Sequence, residues 1–288
     1  MKSVLRYLLH KIKAEKFIFP KFSGQYFYFT WGHIYKAPSL RQIKIIRRHY
    51  KNKWKLPEYK IIEMILSAPS SSTPVILDIG ANIGYTAIAY SHMLKSYGGF
   101  VIAFEPASIN VDSFAFNTSY LSNIFLISVG LGDTSEPITL GIPSYVKELG
   151  KDTDNTGFLS AKLSMDNSLK AFRSASLPLD LISDSLCLKT ESISFIKVDV
   201  EGYESRVIRG ALNTIKHFRP TIQIEFYSRT NSSQELADTF SLLFDLQYTC
   251  YLNGSLSQDV RNELYFVHSS NNNLTTIFND FNFSKVMG

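Results

Sequence analysis

The chain has few cysteines and no apolar segment long enough to cross a membrane. Its 288 residues include only Cys187 and Cys250, which argues against a disulfide framework and fits a reducing compartment. The apolar stretch near the start is interrupted by His10, Lys11 and Lys13, so it is a poor secretory signal. These features together predict a cytoplasmic protein.

Acidic residues are scarce in the first part of the chain. The first 60 residues hold 15 of the 30 Lys and Arg residues, with only Glu15 and Glu58 as acids. We therefore divide the chain into a basic, aromatic-rich N-terminal extension over 1–56, a main domain over 57–270 and a weakly ordered tail over 271–288. The spacing of Leu5, Leu8 and Leu9 predicts a helix over 2–16. A basic extension on an acidic body indicates a charged partner or an intramolecular docking surface.

Strands and helices are predicted to alternate after the extension. Apolar runs predict strands near 75–79, 100–104, 124–128, 194–199, 221–226, 247–252 and 263–268, and helices near 84–96, 108–120, 204–217 and 232–245. Repeated strand–helix units favour an α/β fold with a doubly wound, mostly parallel, seven-stranded sheet. The polar segment 134–193 interrupts this pattern, and we expect it to shape the site for a second substrate.

The first chemical motif is the stretch VILDIGANIGYTA at 75–87, which predicts a strand, a tight turn and a helix. Such a turn exposes backbone N–H groups at a helix N-terminus and suits a nucleotide-type cofactor. Asn82 stands where the dinucleotide fingerprint has its second glycine, which argues against a bound pyrophosphate. A plain turn without a ligand is the alternative for this motif taken alone.

The second motif is FVIAFEP at 100–106, a buried strand that ends at Glu105 and is followed by Pro106. An acidic residue at the end of the second strand is placed to accept hydrogen bonds from both ribose hydroxyls of a cofactor. A solvated carboxylate is the alternative, and it is the weaker one once both motifs are considered together.

The third motif is FIKVDVEGYESRVIRGA at 195–211, where an apolar strand delivers Asp199 and Glu201 at its carboxyl end. Carboxylates beside a cofactor can act as a general base, orient a hydroxyl group or bind a metal. The alternative is a structural role, in which Asp199 caps the following helix and Glu204 in its first turn is favoured by the helix dipole. Glu204 is assigned mainly to that structural role, and Asp199 and Glu201 are assigned to function. Glu225 ends the next strand on the same edge; a magnesium site formed by it with Asp199 and Glu201 is not favoured, and we predict no metal.

These motifs together resemble the FkbM family of S-adenosylmethionine-dependent methyltransferases. The family pattern D-x-G-A-N-x-G corresponds to Asp78–Gly84, F-E-P to 104–106, K-x-D-x-E-G-x-E to 197–204, and P-x-x-x-x-E to 220–225. The resemblance covers about residues 58–228 and implies a Rossmann-like class I methyltransferase fold with S-adenosyl-L-methionine as cofactor. The extension, the tail and most of 161–193 lie outside it.

The resemblance also implies roles for individual residues. The turn would surround the methionine and ribose part of the cofactor, Glu105 would hold the ribose diol, and Glu201 and Asp199 are the candidates for the base. The predicted cofactor-binding residues are Asp78, Gly80, Ala81, Asn82, Gly84, Tyr85, Thr86, Glu105, Pro106, Val129 and Gly130.

Three functions are therefore weighed. The favoured one is O-methylation of a hydroxyl, as in a sugar of a glycan or of a secondary metabolite. The alternatives are a catalytically degenerate methyltransferase fold that serves as a glycan- or membrane-binding module, and an oxidoreductase, which the missing glycine pattern disfavours.

Three roles compete for the basic extension. It could pack as a lid, touch an anionic membrane through residues 1–55, or bind nucleic acid. The lid and the membrane contact are weighed about equally, so a peripheral location at the inner face of a membrane is open. Nucleic acid is disfavoured because the segment around Asp199 lacks the stacking residues that a flipped base needs.

Overall fold

A computed structural model describes residues 16–22, 25–30, 33–39, 41–44, 57–142, 159–161, 171–183, 185–186, 191–227, 232–253, 261–281 and 283–286. The predicted helix over 2–16 and the basic stretch 45–56 lie outside the described residues almost entirely, as does most of 143–170.

Over residues 73–127 and 191–268, strands and helices alternate as the sequence predicts. The strands are β1 Lys16–Phe22, β2 Gln25–Thr30, β3 His33–Ala37, β4 Thr73–Ile79, β5 Phe100–Phe104, β6 Ile124–Ile127, β7 Gly130–Leu131, β8 Glu136–Gly141, β9 Ala171–Leu177, β10 Glu191–Val198, β11 Thr221–Tyr227, β12 Tyr248–Asn253, β13 Arg261–His268 and β14 Phe283–Val286. The helices are α1 Pro57–Ser67, α2 Tyr85–Leu94, α3 Ser108–Thr118, α4 Leu179–Ser183, α5 Glu204–Arg209, α6 Leu212–Phe218, α7 Ser233–Asp245 and α8 Thr275–Asp280. Short 3₁₀ helices lie at Lys95–Tyr97 and Ser269–Leu274.

The central sheet has the order β14-β12-β13-β11-β10-β4-β5-β6. Its strands β6, β5, β4, β10 and β11 are parallel neighbours, and β13 pairs antiparallel with both β11 and β12. The predicted α/β class and mostly parallel sheet are confirmed. The sheet has eight strands rather than the predicted seven, because β14 adds to the edge by pairing with β12. The segment expected to be a weakly ordered tail thus contains a strand and the helix α8.

Both faces of the sheet are buried, which is why its strands are continuous apolar runs. Leu77 and Ile79 of β4 belong to one core, while Ile76 belongs to the other core on the opposite face. Asp78 falls on the second face among apolar residues and is fully buried. The alternation along β4 therefore places one carboxylate inside the molecule, directly beneath the turn that follows.

The predicted helix over 204–217 is divided in two at Gly210. A Cβ atom at Gly210 would lie 1.8 Å from the carbonyl oxygen of Gly132, so only glycine allows this close approach. The helix α5 ends there and α6 begins at Leu212. The segment that follows β6 is thereby held against the site-bearing helix.

Strands β8 and β9 of the interrupting segment 134–193 form a small second sheet together with β7, which precedes the segment, in the order β7-β9-β8. Strands β8 and β9 are antiparallel, and Gly141 bridges to Ser160 beyond β8. The side chains of Ile138 and Leu140 pack with Ala107, which precedes α3. This segment therefore covers the carboxyl ends of β5 and β6.

The described part of the extension forms an antiparallel sheet of β1, β2 and β3, where the sequence indicated only an aromatic-rich stretch. It packs against the main domain, because Tyr28 and Tyr35 share a core with Ile83 and Ile88. The side-chain amide of Asn117 on α3 adds two hydrogen bonds to this contact. Its Oδ1 accepts from the backbone N–H of Lys36 at 2.7 Å, and its Nδ2 donates to the carbonyl oxygen of Lys36 at 3.0 Å. Among the described helices, none is long and apolar enough to span a membrane.

Candidate functional site

The candidate site lies where β4, β5 and β10 end. The backbone N–H groups of Gly80 and Ala81 both donate to the carbonyl oxygen of Phe104 at 3.0 Å, and the N–H of Asp199 donates to that of Ile79 at 3.0 Å. These bonds hold the ends of three parallel strands in one plane. Ligands of open α/β sheets bind at this edge.

The turn after β4 depends on left-handed backbone conformations. Gly80, Asn82 and Gly84 have φ values of 83°, 51° and 85°, and Asn is among the few residues besides Gly that adopt such values readily. A Cβ atom on Gly80 would lie 1.9 Å from the carbonyl oxygen of Asp199. Glycine is therefore required there for the third motif to approach the first.

Glu105 is the centre of a set of hydrogen bonds. Its Oε2 accepts from the backbone N–H of Asn82 at 2.8 Å, while Oε1 accepts from the N–H of Ala107 at 2.9 Å and from Nδ2 of Asn110 at 3.2 Å. Burial raises the pKa of Glu105 to about 7, against the opposing effect of these hydrogen bonds. Its carboxylate is thus held rigidly at the cleft surface.

A buried charge cluster lies beneath the turn. Asp78 accepts a hydrogen bond on Oδ2 from the hydroxyl of Thr86 at 2.8 Å, and its pKa is raised by burial, partly offset by Lys197. Nζ of Lys197 lies 3.0 Å from Oδ2 of Asp199. Burial lowers the pKa of Lys197, but Asp199 and Asp78 outweigh it and leave that pKa well above its ordinary value.

The two candidate bases differ in their surroundings. Asp199 forms the ion pair with Lys197, whereas Glu201 is 7% exposed and adopts a φ of 52°. Left-handed φ is costly for glutamate and is found mainly where the surrounding structure imposes it. Glu204 accepts the N–H of Gly202 on both carboxylate oxygens at 3.1 Å, which agrees with its assignment to a structural role.

A cleft of about 600 Å³, measured out to its open mouth, connects these groups. Its lining combines apolar residues with polar and acidic ones. The apolar residues include Val129, Leu131, Ile138, Leu140, Leu159 and Ala161. The polar residues are Asn82, Glu105, Asn110, Asp199, Glu201 and Tyr203.

The structure brings most of the predicted site residues to this cleft. Those that line it are Gly80, Asn82, Glu105, Pro106, Val129, Gly130, Asp199 and Glu201. The others, Asp78, Ala81, Gly84, Tyr85 and Thr86, are not among the residues that line it, and their predicted contact with the cofactor stays a prediction. Asp78, Ala81 and Thr86 are buried, and a Cβ on Gly84 would lie 2.8 Å from the ring of Phe114.

Several cleft residues were missed by the sequence analysis. Asn110 lies five positions after Glu105 at the start of α3, and its partnership with that carboxylate has no motif of its own. Tyr203 was treated only as the start of a helix; its hydroxyl bonds to Arg206, whose Nε lies 2.5 Å from Oδ1 of Asp133. Within the described residues, no group of three or more His, Cys, Asp or Glu residues is arranged to hold a metal ion.

A doubly wound sheet with a partly apolar cleft at its carboxyl edge, and with an acidic residue ending the second strand, defines a Rossmann-like cofactor-dependent enzyme domain. A family model described as the methyltransferase FkbM domain matches residues 78–262, which is more than half of the chain. The chain therefore belongs to the FkbM methyltransferase family.

Solved structures show distant likenesses of fold. The chain is similar to methyltransferase FkbM from Methylobacillus flagellatus KT at 19% identity, with 69% of this chain and 45% of that chain covered and a TM-score of 0.44. It is similar to fibrillarin from Aeropyrum pernix, solved with natively bound S-adenosyl-L-methionine, at 12% identity, 88% and 97% coverage and a TM-score of 0.40. It is also similar to an O-methyltransferase from Bacillus cereus in complex with SAH, at 12% identity, with 92% of this chain and 98% of that chain covered and a TM-score of 0.42.

The chain spans less than half the length of the Methylobacillus protein. No curated protein matches the chain.

Proposed function

We propose that the protein transfers a methyl group from S-adenosylmethionine to a hydroxyl group, as in a sugar of a glycan or of a secondary metabolite. The observation that carries this proposal is that Asp199 and Glu201 line the same cleft as Glu105 and Asn82. A cofactor-holding carboxylate and two candidate bases thus share one cavity.

The cleft has the features that the cofactor requires. Glu105 presents carboxylate oxygens for the two ribose hydroxyls, and the apolar residues Val129, Ile138 and Leu140 suit a flat adenine ring. When bound, the cofactor supplies a methyl group on a positively charged sulfur.

We assign Glu201 as the base that accepts the proton of the acceptor hydroxyl. A hydroxyl group is a weak nucleophile at neutral pH and needs a base within hydrogen-bond reach. Because Asp199 is paired with Lys197 at 3.0 Å, its negative charge is stabilised and its tendency to take a proton is lowered. Asp199 therefore orients the acceptor, while Glu201 accepts the proton as the carbon–oxygen bond forms.

A sugar acceptor fits the polar residues of this cleft. Sugar hydroxyls are both donors and acceptors, and they pair with carboxylates and with phenolic hydroxyls. The lining of the cleft includes the carboxylates of Asp199 and Glu201, and also Tyr203, whose hydroxyl is already bonded to Arg206. The proposal thus assigns the apolar residues of the lining to the base of the cofactor and these polar ones to the acceptor.

Methylation can be tested by comparing cells that produce the wild-type protein with cells that produce Glu201→Gln. Mass spectrometry of their glycans and small metabolites should reveal a species heavier by one methyl group in the wild type only. The purified variant should bind S-adenosylhomocysteine with the Kd of the wild type.

Two results would change this proposal. A methylated product in the Glu201→Gln cells would remove Glu201 as the base. Cofactor binding by the wild type with no methylated product in any sample would favour the degenerate binding module.

A further inference from the structure

One side chain of the extension, that of Gln42, contacts the turn that follows β4. Nε2 of Gln42 donates to Oδ1 of Asn82 at 2.7 Å, and Gln42 is 3% exposed. Asn82 lines the cleft, whereas Gln42 does not. Gln42 also lies well outside residues 78–262, which match the FkbM family, so the family pattern does not include it.

Local structure holds Gln42 in place. Ser39 and Gln42 form a capping interaction at the helical turn 41–44: the backbone N–H of Gln42 donates to Oγ of Ser39 at 3.3 Å, and that hydroxyl donates to Oε1 of Gln42 at 3.1 Å. Ser39 is fully buried, as is the neighbouring Ile43. Because Oε1 of Gln42 accepts from the serine, the amide nitrogen faces Asn82.

The hydrogen bonds of Asn82 fix the orientation of its amide. A backbone N–H can only donate, and that of Ile83 donates to Oδ1 of Asn82 at 2.9 Å. Gln42 adds a second donor to the same oxygen. Within the described part of the chain, Nδ2 of Asn82 donates no hydrogen bond to the protein, so it is the donor that this side chain can offer to the cleft.

We propose that Gln42 is a positioning residue, which holds the amide of Asn82 so that its nitrogen donates to the carboxylate of the methionine part of S-adenosylmethionine. The chemistry of the cleft selects that part of the cofactor. With Glu105 assigned to the ribose hydroxyls, the carboxylate of the methionine part is the charged acceptor for which an amide N–H donor is best suited. This inference rests on the proposed function, because it assumes that the cofactor lies in the cleft.

The test compares two ligands by isothermal titration calorimetry. S-adenosylhomocysteine carries the amino acid part, whereas 5′-methylthioadenosine has the same adenine and ribose but lacks it. Gln42→Met keeps the length of the side chain and removes the donor. We expect it to raise the Kd for S-adenosylhomocysteine about tenfold and to leave the Kd for 5′-methylthioadenosine within about twofold.

A second variant reverses the polarity of the contact. In Gln42→Glu, a carboxylate would attract Nδ2 of Asn82 away from the cleft, so the loss of affinity for S-adenosylhomocysteine should exceed that of Gln42→Met. Lys36→Met is the matched control, since Lys36 contacts Asp112 and Asn117 on α3 and not Asn82. Its affinities for both ligands should equal those of the wild type.

The possible failures can be distinguished. If the wild type binds neither ligand, the proposed function fails. If the wild type binds both and Gln42→Met binds S-adenosylhomocysteine equally well, only the role of Gln42 is overturned. An equal loss of affinity for both ligands would also overturn it. Such a loss would indicate a general loosening of the fold and not the loss of a contact with the amino acid part of the ligand.

Discussion

Binding of the cofactor nucleoside should depend on pH through Glu105. The pKa of this buried carboxyl is raised to about 7, and only the ionised form offers all of its oxygen lone pairs to the ribose hydroxyls. The protonated fraction grows as the pH falls through 7, so the affinity should fall with it. If only the ionised form binds, the Kd at pH 6 should be about ten times that at pH 8, a difference of about 1.4 kcal/mol.

The measurement is titration calorimetry with 5′-methylthioadenosine at several values between pH 6 and pH 8. This ligand has no group of its own that titrates in that range, so the change reports on the protein. Repeating the titration in two buffers with different ionisation enthalpies should show that binding releases a proton below pH 7. Glu105→Gln, checked for its folded state by circular dichroism, should bind weakly and without this pH dependence. A constant Kd for the wild type from pH 6 to pH 8 would refute the assignment of the ribose to Glu105.

Three further changes test other parts of the structure. Gly80→Ala should lower the free energy of unfolding by about 3 kcal/mol in urea titrations and abolish S-adenosylhomocysteine binding, because the added methyl group would lie 1.9 Å from a carbonyl oxygen; a fully stable, ligand-binding variant would contradict this geometry. Ser232→Ala should lower the free energy of unfolding by about 1 kcal/mol, because it removes the capping box that Ser232 forms with Glu235 at the start of α7. The Kd for S-adenosylhomocysteine should not change, since no residue of α7 lines the cleft. Replacing Lys11 and Lys13 by Gln should weaken sedimentation with vesicles of anionic lipid at low salt, and unchanged sedimentation would leave the extension with a packing role alone.

The parallel sheet and the position of the cleft could be predicted because local pattern determines both. The run from Val75 to Ile79 has no alternation, which is typical of a strand buried on both faces, and the structure places β4 at Thr73–Ile79. Glu105, Asp199 and Glu201 each follow such a run. Since parallel strands end at the same edge, their meeting in one cleft follows from the topology.

The remaining parts of the site depend on contacts between distant segments. The apolar lining includes Ile138 and Leu140 of the second sheet and Leu159, and nothing in the polar sequence around them indicates that they meet Val129. The bond between Gln42 and Asn82 joins residues that no local pattern connects. The division of the helix over 204–217 likewise has its cause in Gly132, which approaches from another part of the chain.

The negative charge at the edge of the cleft affects how tightly the proposed cofactor is held before and after methyl transfer. In the proposed reaction, Glu201 favours a cationic ligand, whereas the charge of Asp199 is already paired with Lys197. The sulfur of the cofactor is positively charged only until the methyl group leaves, and the thioether that remains is neutral, so the Coulombic attraction to Glu201 disappears in the same event that forms the product. Proton uptake by Glu201 in that reaction would remove its negative charge as well. The proposed chemistry therefore predicts a weaker hold on the spent cofactor than on the cofactor that carries the methyl group.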